Sequence, residues 1–112
     1  MRRSEPAKEH MQPHDENAQI EHRLVRVRGI VQGVGFRDSC MRYAQASGIA
    51  GWVRNRRDGS VEVLLQGSPE QLAQMCEWLR HGVPGARVDA LEQSEVKPPP
   101  ALANGFGILP TV

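Results

Sequence analysis

The chain has no apolar run approaching the roughly 18 residues that cross a bilayer. Arg2 and Arg3 are followed by no apolar stretch of the kind a secretory leader contains. A membrane partner is therefore not expected, and a cytoplasmic protein is. Cysteine is scarce: Cys40 and Cys76 are the only two in 112 residues. That is too few for a disulfide framework, so both are expected as buried thiols in a reducing compartment. Aromatic residues make up 4% of the chain and VEVLLQ at 61–66 holds none, which speaks against a sheet that stacks RNA bases on exposed rings. His10, His14, His22 and His81 show no ligand spacing with either cysteine, so no metal is expected. Neither GxGxxG nor GxxxxGK[ST] occurs, and no cofactor is called for.

Charge of one sign is lacking too. The chain carries 14 Lys and Arg against 13 Asp and Glu, a net of +1. Residues 1–21 hold three basic and five acidic side chains, which leaves 11 basic and 8 acidic in residues 22–112, a net of +3. That mild excess suits a small anionic ligand and does not by itself call for nucleic acid. The apolar fraction of 39% is low, and the deficit is concentrated. In residues 1–21 only Met1, Met11 and Ile20 are large apolar side chains. Such a segment buries too little surface to offset the entropy of ordering, so it reads as a disordered tail. Residues 22–112 then form one domain, small but sufficient for a single core.

Within that domain RLVRVR at 23–28 sets Leu24, Arg26 and Arg28 on one side and Val25 and Val27 on the other, the alternation of a strand. Residues 36–47 lack Gly and Pro, carry Phe36, Cys40, Tyr43, Ala44 and Ser47 on one helical face, and stop at Gly48. IAGWVRN at 49–55 and VEVLLQ at 61–66 read as two strands joined by a tight turn at RRDG, 56–59. A second helix opens with Ser68 as N-cap, Pro69 in the first position and Gln71 to complete a capping box. Leu72, Met75, Cys76 and Leu79 give it an apolar stripe, and Gly82 and Pro84 end it. A fourth strand falls within 86–96, a loop follows at 97–105, and Phe106 to Leu109 form a possible short fifth strand. The order predicts an α+β fold of the ferredoxin-like split βαβ type (βαββαβ): an antiparallel four-stranded sheet, two helices on one face, and an optional fifth edge strand.

The chemistry concentrates between the first strand and the first helix. GIVQGVGFR at 29–37 places Gly29, Gly33 and Gly35 ahead of a helix N-terminus. Glycine admits positive φ and lets a ligand approach the amides, and successive N–H groups can form an anion nest at the positive end of the helix dipole. Arg37 follows in the first turn, and its planar fork can clasp two phosphate oxygens. On the loop alone, a phosphate cradle and an ordinary glycine-rich turn with an incidental arginine remain equally open. Asn55 ends the second strand just before the turn. An amide there can hold a water without ionising, or can simply favour the turn. Spacing does not decide whether Asn55 reaches the loop. Trp52 and Trp78 read as packing residues.

VQGVGFR at 31–37, followed by GWVRN at 51–55 and DGSVEV at 58–63, strongly resembles the acylphosphatase family over roughly residues 22–109. The resemblance implies hydrolysis of acyl phosphates of the acetyl phosphate, carbamoyl phosphate or 1,3-bisphosphoglycerate type. It implies a phosphate-binding loop made by the amides of Gln32, Gly33, Val34, Gly35, Phe36 and Arg37, with Arg37 and Asn55 catalytic, the latter orienting the attacking water. A small-molecule substrate, no nucleic acid, no membrane and a monomer are the partner expectations. Where the family often has threonine after the asparagine, this chain has Arg56. The proline-rich ending is also unusual. The alternative is a non-catalytic acylphosphatase-like accessory or phosphate-binding module, such as the domain at the front of hydrogenase-maturation proteins.

Overall fold

In the computed structural model, which describes residues 20–97 and 101–112, the first strand, β1, runs from Glu21 to Ile30. It starts one residue inside the segment assigned to the tail. Residues 1–19, including His10 and His14, and prolines 98–100 lie outside the described residues. Helix α1 spans Phe36–Ser47, β2 Ala50–Asn55, β3 Val61–Gly67, α2 Pro69–His81, β4 Arg87–Glu95 and β5 Phe106–Ile108.

Each element follows from its local chemistry. Helix α2 is closed at its start by the expected capping box: Gln71 N donates to Ser68 Oγ at 3.2 Å, and Ser68 N donates to Gln71 Oε1 at 2.9 Å. Its stripe of Leu72, Met75, Cys76 and Leu79 is buried. At roughly 1.5–3 kcal/mol for each large side chain removed from water, this face rather than helix propensity holds α2 to the sheet. Helix α1 buries Phe36, Cys40 and Ala44 and ends at Gly48 in the left-handed conformation. Tyr43 of α1 stacks on Trp78 of α2, ring centroids 4.4 Å apart. Val25, Val27, Val53, Val61, Val63 and Leu65 supply the sheet side of the core and are essentially fully buried.

The sheet order is β4-β1-β3-β2-β5. The four long strands pair antiparallel throughout, and β5 pairs parallel to β2, with Gly51 opposite Phe106 and Val53 opposite Ile108. The sheet is thus mixed, where a purely antiparallel one with an optional edge strand was expected. The long return from β4 explains the direction. Val96 N donates to His22 O, and Ala103 N donates to Gln66 Oε1, so the chain passes the end of the sheet where β2 begins. Entering there, it can only run along β2 in the same sense. Beyond β5 it keeps bonding: Leu109 N to Val53 O, Val112 N to Asn55 O, and Arg57 N to Val112 O. Pro110 is tolerated because β5 is an edge strand.

One consequence of this topology positions the site. Strands β1 and β2 run parallel, with β3 between them, so both end at the same edge. Val27 and Asn55 both pair with Val61, which puts them on one rung, two strand spacings or roughly 10 Å apart.

Candidate active site

Past Ile30 the chain leaves β1 and turns back into α1 through residues 31–35. Gly33 and Gly35 make that reversal at φ +77° and +78°, a region that costs an L-residue roughly 1–2 kcal/mol. Gly35 is also the N-cap of α1, and no side chain caps this helix. Among the described residues, no backbone N–H from Gln32 to Asp38 meets a protein acceptor. These donors stand free at the positive end of the α1 dipole, where an anion is stabilised.

A cavity of about 280 Å³ lies in front of them, lined by Val31, Gln32, Gly33, Gly35, Phe36, Arg37, Asp38, Asn55 and Ile108. It is near the small end for ligand pockets, roughly 300–1,000 Å³, and suits a compact anion. Arg37 and Asn55, predicted from two separate motifs, therefore share one wall. The ion pairs of the described residues engage other arginines and leave Arg37 without a carboxylate. Asn55 Oδ1 is buried and has no hydrogen-bond partner among the described residues. Of the expected loop residues Val34 alone does not line the cavity. Its side chain packs against the core.

Three wall residues escaped sequence reasoning: Val31, Asp38 and Ile108. Ile108 comes from β5, whose position depends on the long return. Asp38 sits at the positive end of α1, and its carboxylate pairs with Arg42 one turn on, which offsets a negative charge beside an anion site. The Gln32 side chain was also unforeseen. Its Nε2 donates to Arg56 O and to Ser60 O, both at 2.8 Å, and ties the loop to the β2–β3 turn. The Arg56 guanidinium turns to Glu62, 3.0 Å away, so this departure from the family pattern puts no extra cation in the cavity.

Cysteine chemistry has no place here. Burial pushes the Cys40 thiol far above the ordinary range, and burial likewise raises Cys76 against the opposing influence of Arg23 and Arg80. Buried, protonated thiols are inert packing groups. Among the described residues no group of three or more His, Cys, Asp or Glu side chains gathers where a metal could sit, and no helix is long and apolar enough to cross a membrane.

Among the described residues, open loop amides, an arginine with no carboxylate partner and an orphaned amide oxygen surround one small cavity on a ferredoxin-like fold, an arrangement suited to a compact anion. A family model for acylphosphatases matches residues 23–108. An acylphosphatase of Polaromonas naphthalenivorans is 56% identical over 98 residues, covering 88% of this chain and 97% of the relative. Acylphosphatase 1 of Ralstonia nicotianae is 53% identical over 95 residues, covering 85% and 93%. Among solved structures, an acylphosphatase from Bacillus subtilis superimposes with a TM-score of 0.73 at 34% identity, covering 80% of this chain and 98% of that one. A full-length HypF gives 0.76 at 25% identity, but the match spans 83% of this chain and only 12% of that protein. The chain belongs to the acylphosphatase family. Its reaction is hydrolysis of the carboxyl–phosphate bond of acyl phosphates.

Proposed function

We propose that the loop amides from Gln32 to Arg37, together with the Arg37 guanidinium, hold the phosphoryl oxygens, and that Asn55 holds the attacking water in line behind phosphorus. The observation that carries this division of labour is the buried, unpartnered Oδ1 of Asn55 on the same cavity as Arg37. Phosphoryl transfer asks a protein mainly for positioning and charge stabilisation, which these groups supply. The water oxygen bonds to phosphorus as the phosphorus–carboxylate bond breaks. The carboxylate departs with the electron pair, and the water's proton passes to a phosphoryl oxygen of the substrate. A carboxylate is a weak base and needs no proton to leave, so the scheme calls on no His–Asp pair and no metal.

The two buried thiols, free among the described residues, fit the cytoplasm. Small acyl phosphates of the acetyl or carbamoyl type suit the volume of the cavity.

Steady-state hydrolysis of benzoyl phosphate tests the water-holding role. Asn55→Ala should lower kcat by roughly 10²–10³-fold, the scale for one preorganised polar contact, while competitive inhibition by inorganic phosphate stays at the wild-type level. Full kcat in Asn55→Ala would show that another group orients the water.

A further inference from the structure

The strand that ends in Asn55 is also gripped from the face of the sheet opposite the cavity. Arg54 and Arg56 flank Asn55 in sequence, so the pleat points both of them away from it. Both reach the same carboxylate oxygen: Arg54 Nε is 2.8 Å and Arg56 Nη1 3.0 Å from Glu62 Oε1. Arg26 Nη2 lies 3.6 Å from Glu62 Oε2. Only 6% of the Glu62 side chain is exposed, yet it holds a full charge on the middle strand of the sheet. A carboxylate so buried is costly unless closely paired, and here it gathers guanidinium groups from β1, from β2 and from the first residue of the turn. The turn is anchored to the same network, since Asp58 Oδ2 lies 3.7 Å from Arg26 and 3.6 Å from Arg28. From the cavity side the Gln32 amide holds Arg56 O and Ser60 O. Asn55 is thus fixed between a clamp on each face.

We infer that Glu62 is a positioning residue for the hydrolysis: by holding Arg54 and Arg56 it sets the pleat of β2 and so aims Asn55 at the reacting phosphorus. The inference rests on the water-holding role proposed for Asn55. It differs from a purely stabilising role in what it touches. A clamp that aims Asn55 acts on the chemical step and leaves phosphate binding, which belongs to the loop and Arg37, alone.

Glu62→Gln keeps the shape and removes the charge. Assayed on benzoyl phosphate it should lower kcat roughly 10-fold, within the roughly 100-fold that a 1 Å misplacement can cost, with KM and inhibition by inorganic phosphate unchanged. In an Asn55→Ala background the same substitution should cost nothing further, because its effect passes through Asn55. Arg56→Met, which removes one arm and keeps the stem, should show a smaller kcat loss of the same kind, and it carries the test if Glu62→Gln fails to fold. The inference is overturned by unchanged kcat in the folded variants, by an equal loss on top of Asn55→Ala, or by KM and phosphate inhibition worsening in step with kcat. Full kcat in Asn55→Ala would instead remove the reading beneath it. Loss in Asn55→Ala with none in Glu62→Gln or Arg56→Met removes this inference alone.

Discussion

The two helices begin in opposite ways. At α2 the first amides are claimed at once: Ser68 and Gln71 bond each other's backbone, and Pro69 contributes no N–H to satisfy. At α1 the N-cap is Gly35 in a left-handed conformation, no side chain returns to the backbone, and the amides from Gln32 to Asp38 are left open. Capping is worth about 1 kcal/mol, so the α1 start forgoes stability that the same chain secures elsewhere. The proposed phosphate-holding role of the loop accounts for the difference. The capped terminus of α2 has two of its first amides claimed and a proline that offers none, whereas the open terminus of α1 presents a run of free donors beside Arg37. The stability missing at α1 is compensated by neighbours, namely Gln32 bonded to the turn and the C-terminal residues bonded along β2.

The largest expected effect breaks the open terminus. Arg37→Ala should reduce kcat/KM on benzoyl phosphate by at least about 10³-fold, because both binding and charge stabilisation are lost, with an unchanged circular dichroism spectrum. Near-wild-type turnover would mean that the amides alone suffice. Gly35→Ala comes next. It should cost roughly 1–2 kcal/mol of stability through left-handed strain and also weaken inhibition by phosphate, since the amides move with the backbone. Ser68→Ala should cost about 1 kcal/mol, a fall of about 4–8 °C in Tm for a domain of this size, with kcat and KM unchanged. If it altered kinetics as Gly35→Ala does, the contrast between the two termini would fail.

The smallest effect is acidic and should fall on one side only. Burial would raise the Glu62 pKa, but hydrogen bonds from Arg54 and Arg56 outweigh it and hold the carboxyl below its usual range. Asp58 is held low by the Ser60 hydroxyl and amide, with help from Arg26 and Arg28. A carboxylate depressed in the folded state stabilises fully above its unfolded pKa and loses that contribution as pH falls through the folded one. Stability should therefore hold near neutrality and decline below about pH 4. The α2 cap, built from Ser68, Pro69 and Gln71, contains nothing that titrates. Hydrogen exchange at acid pH should show the β2–β3 hairpin losing protection before the start of α2, and simultaneous loss would contradict the assignment.

How much of this was legible differs from element to element. Both helices with their stops, and the N-cap of α2, were readable because a helix terminus is decided by residues within four of each other. Four strands were readable because alternation such as Val25 and Val27 against Leu24 and Arg26 is local too. Gly33, Gly35 and Arg37 marked an anion site, but composition left it level with a plain turn, and the acyl phosphate reading came from resemblance to a family. The direction of β5 was not readable, nor was Ile108 in the cavity wall, because both depend on where a long return segment enters the sheet.

The remaining facts require register. Nothing between residues 32 and 60 announces that the Gln32 amide will meet Arg56 O and Ser60 O, or that one glutamate will collect three arginines. Such contacts join positions 6 to 36 residues apart, and the strand pairing sets them. Local chemistry wrote the loop that can hold a phosphate and the asparagine that can hold a water, because backbone freedom and side-chain type belong to single residues. That the two face one cavity depends on β1 and β2 running parallel on either side of β3. Side-chain preferences cannot encode this relation one residue at a time; packing both helices on one face of the sheet creates it.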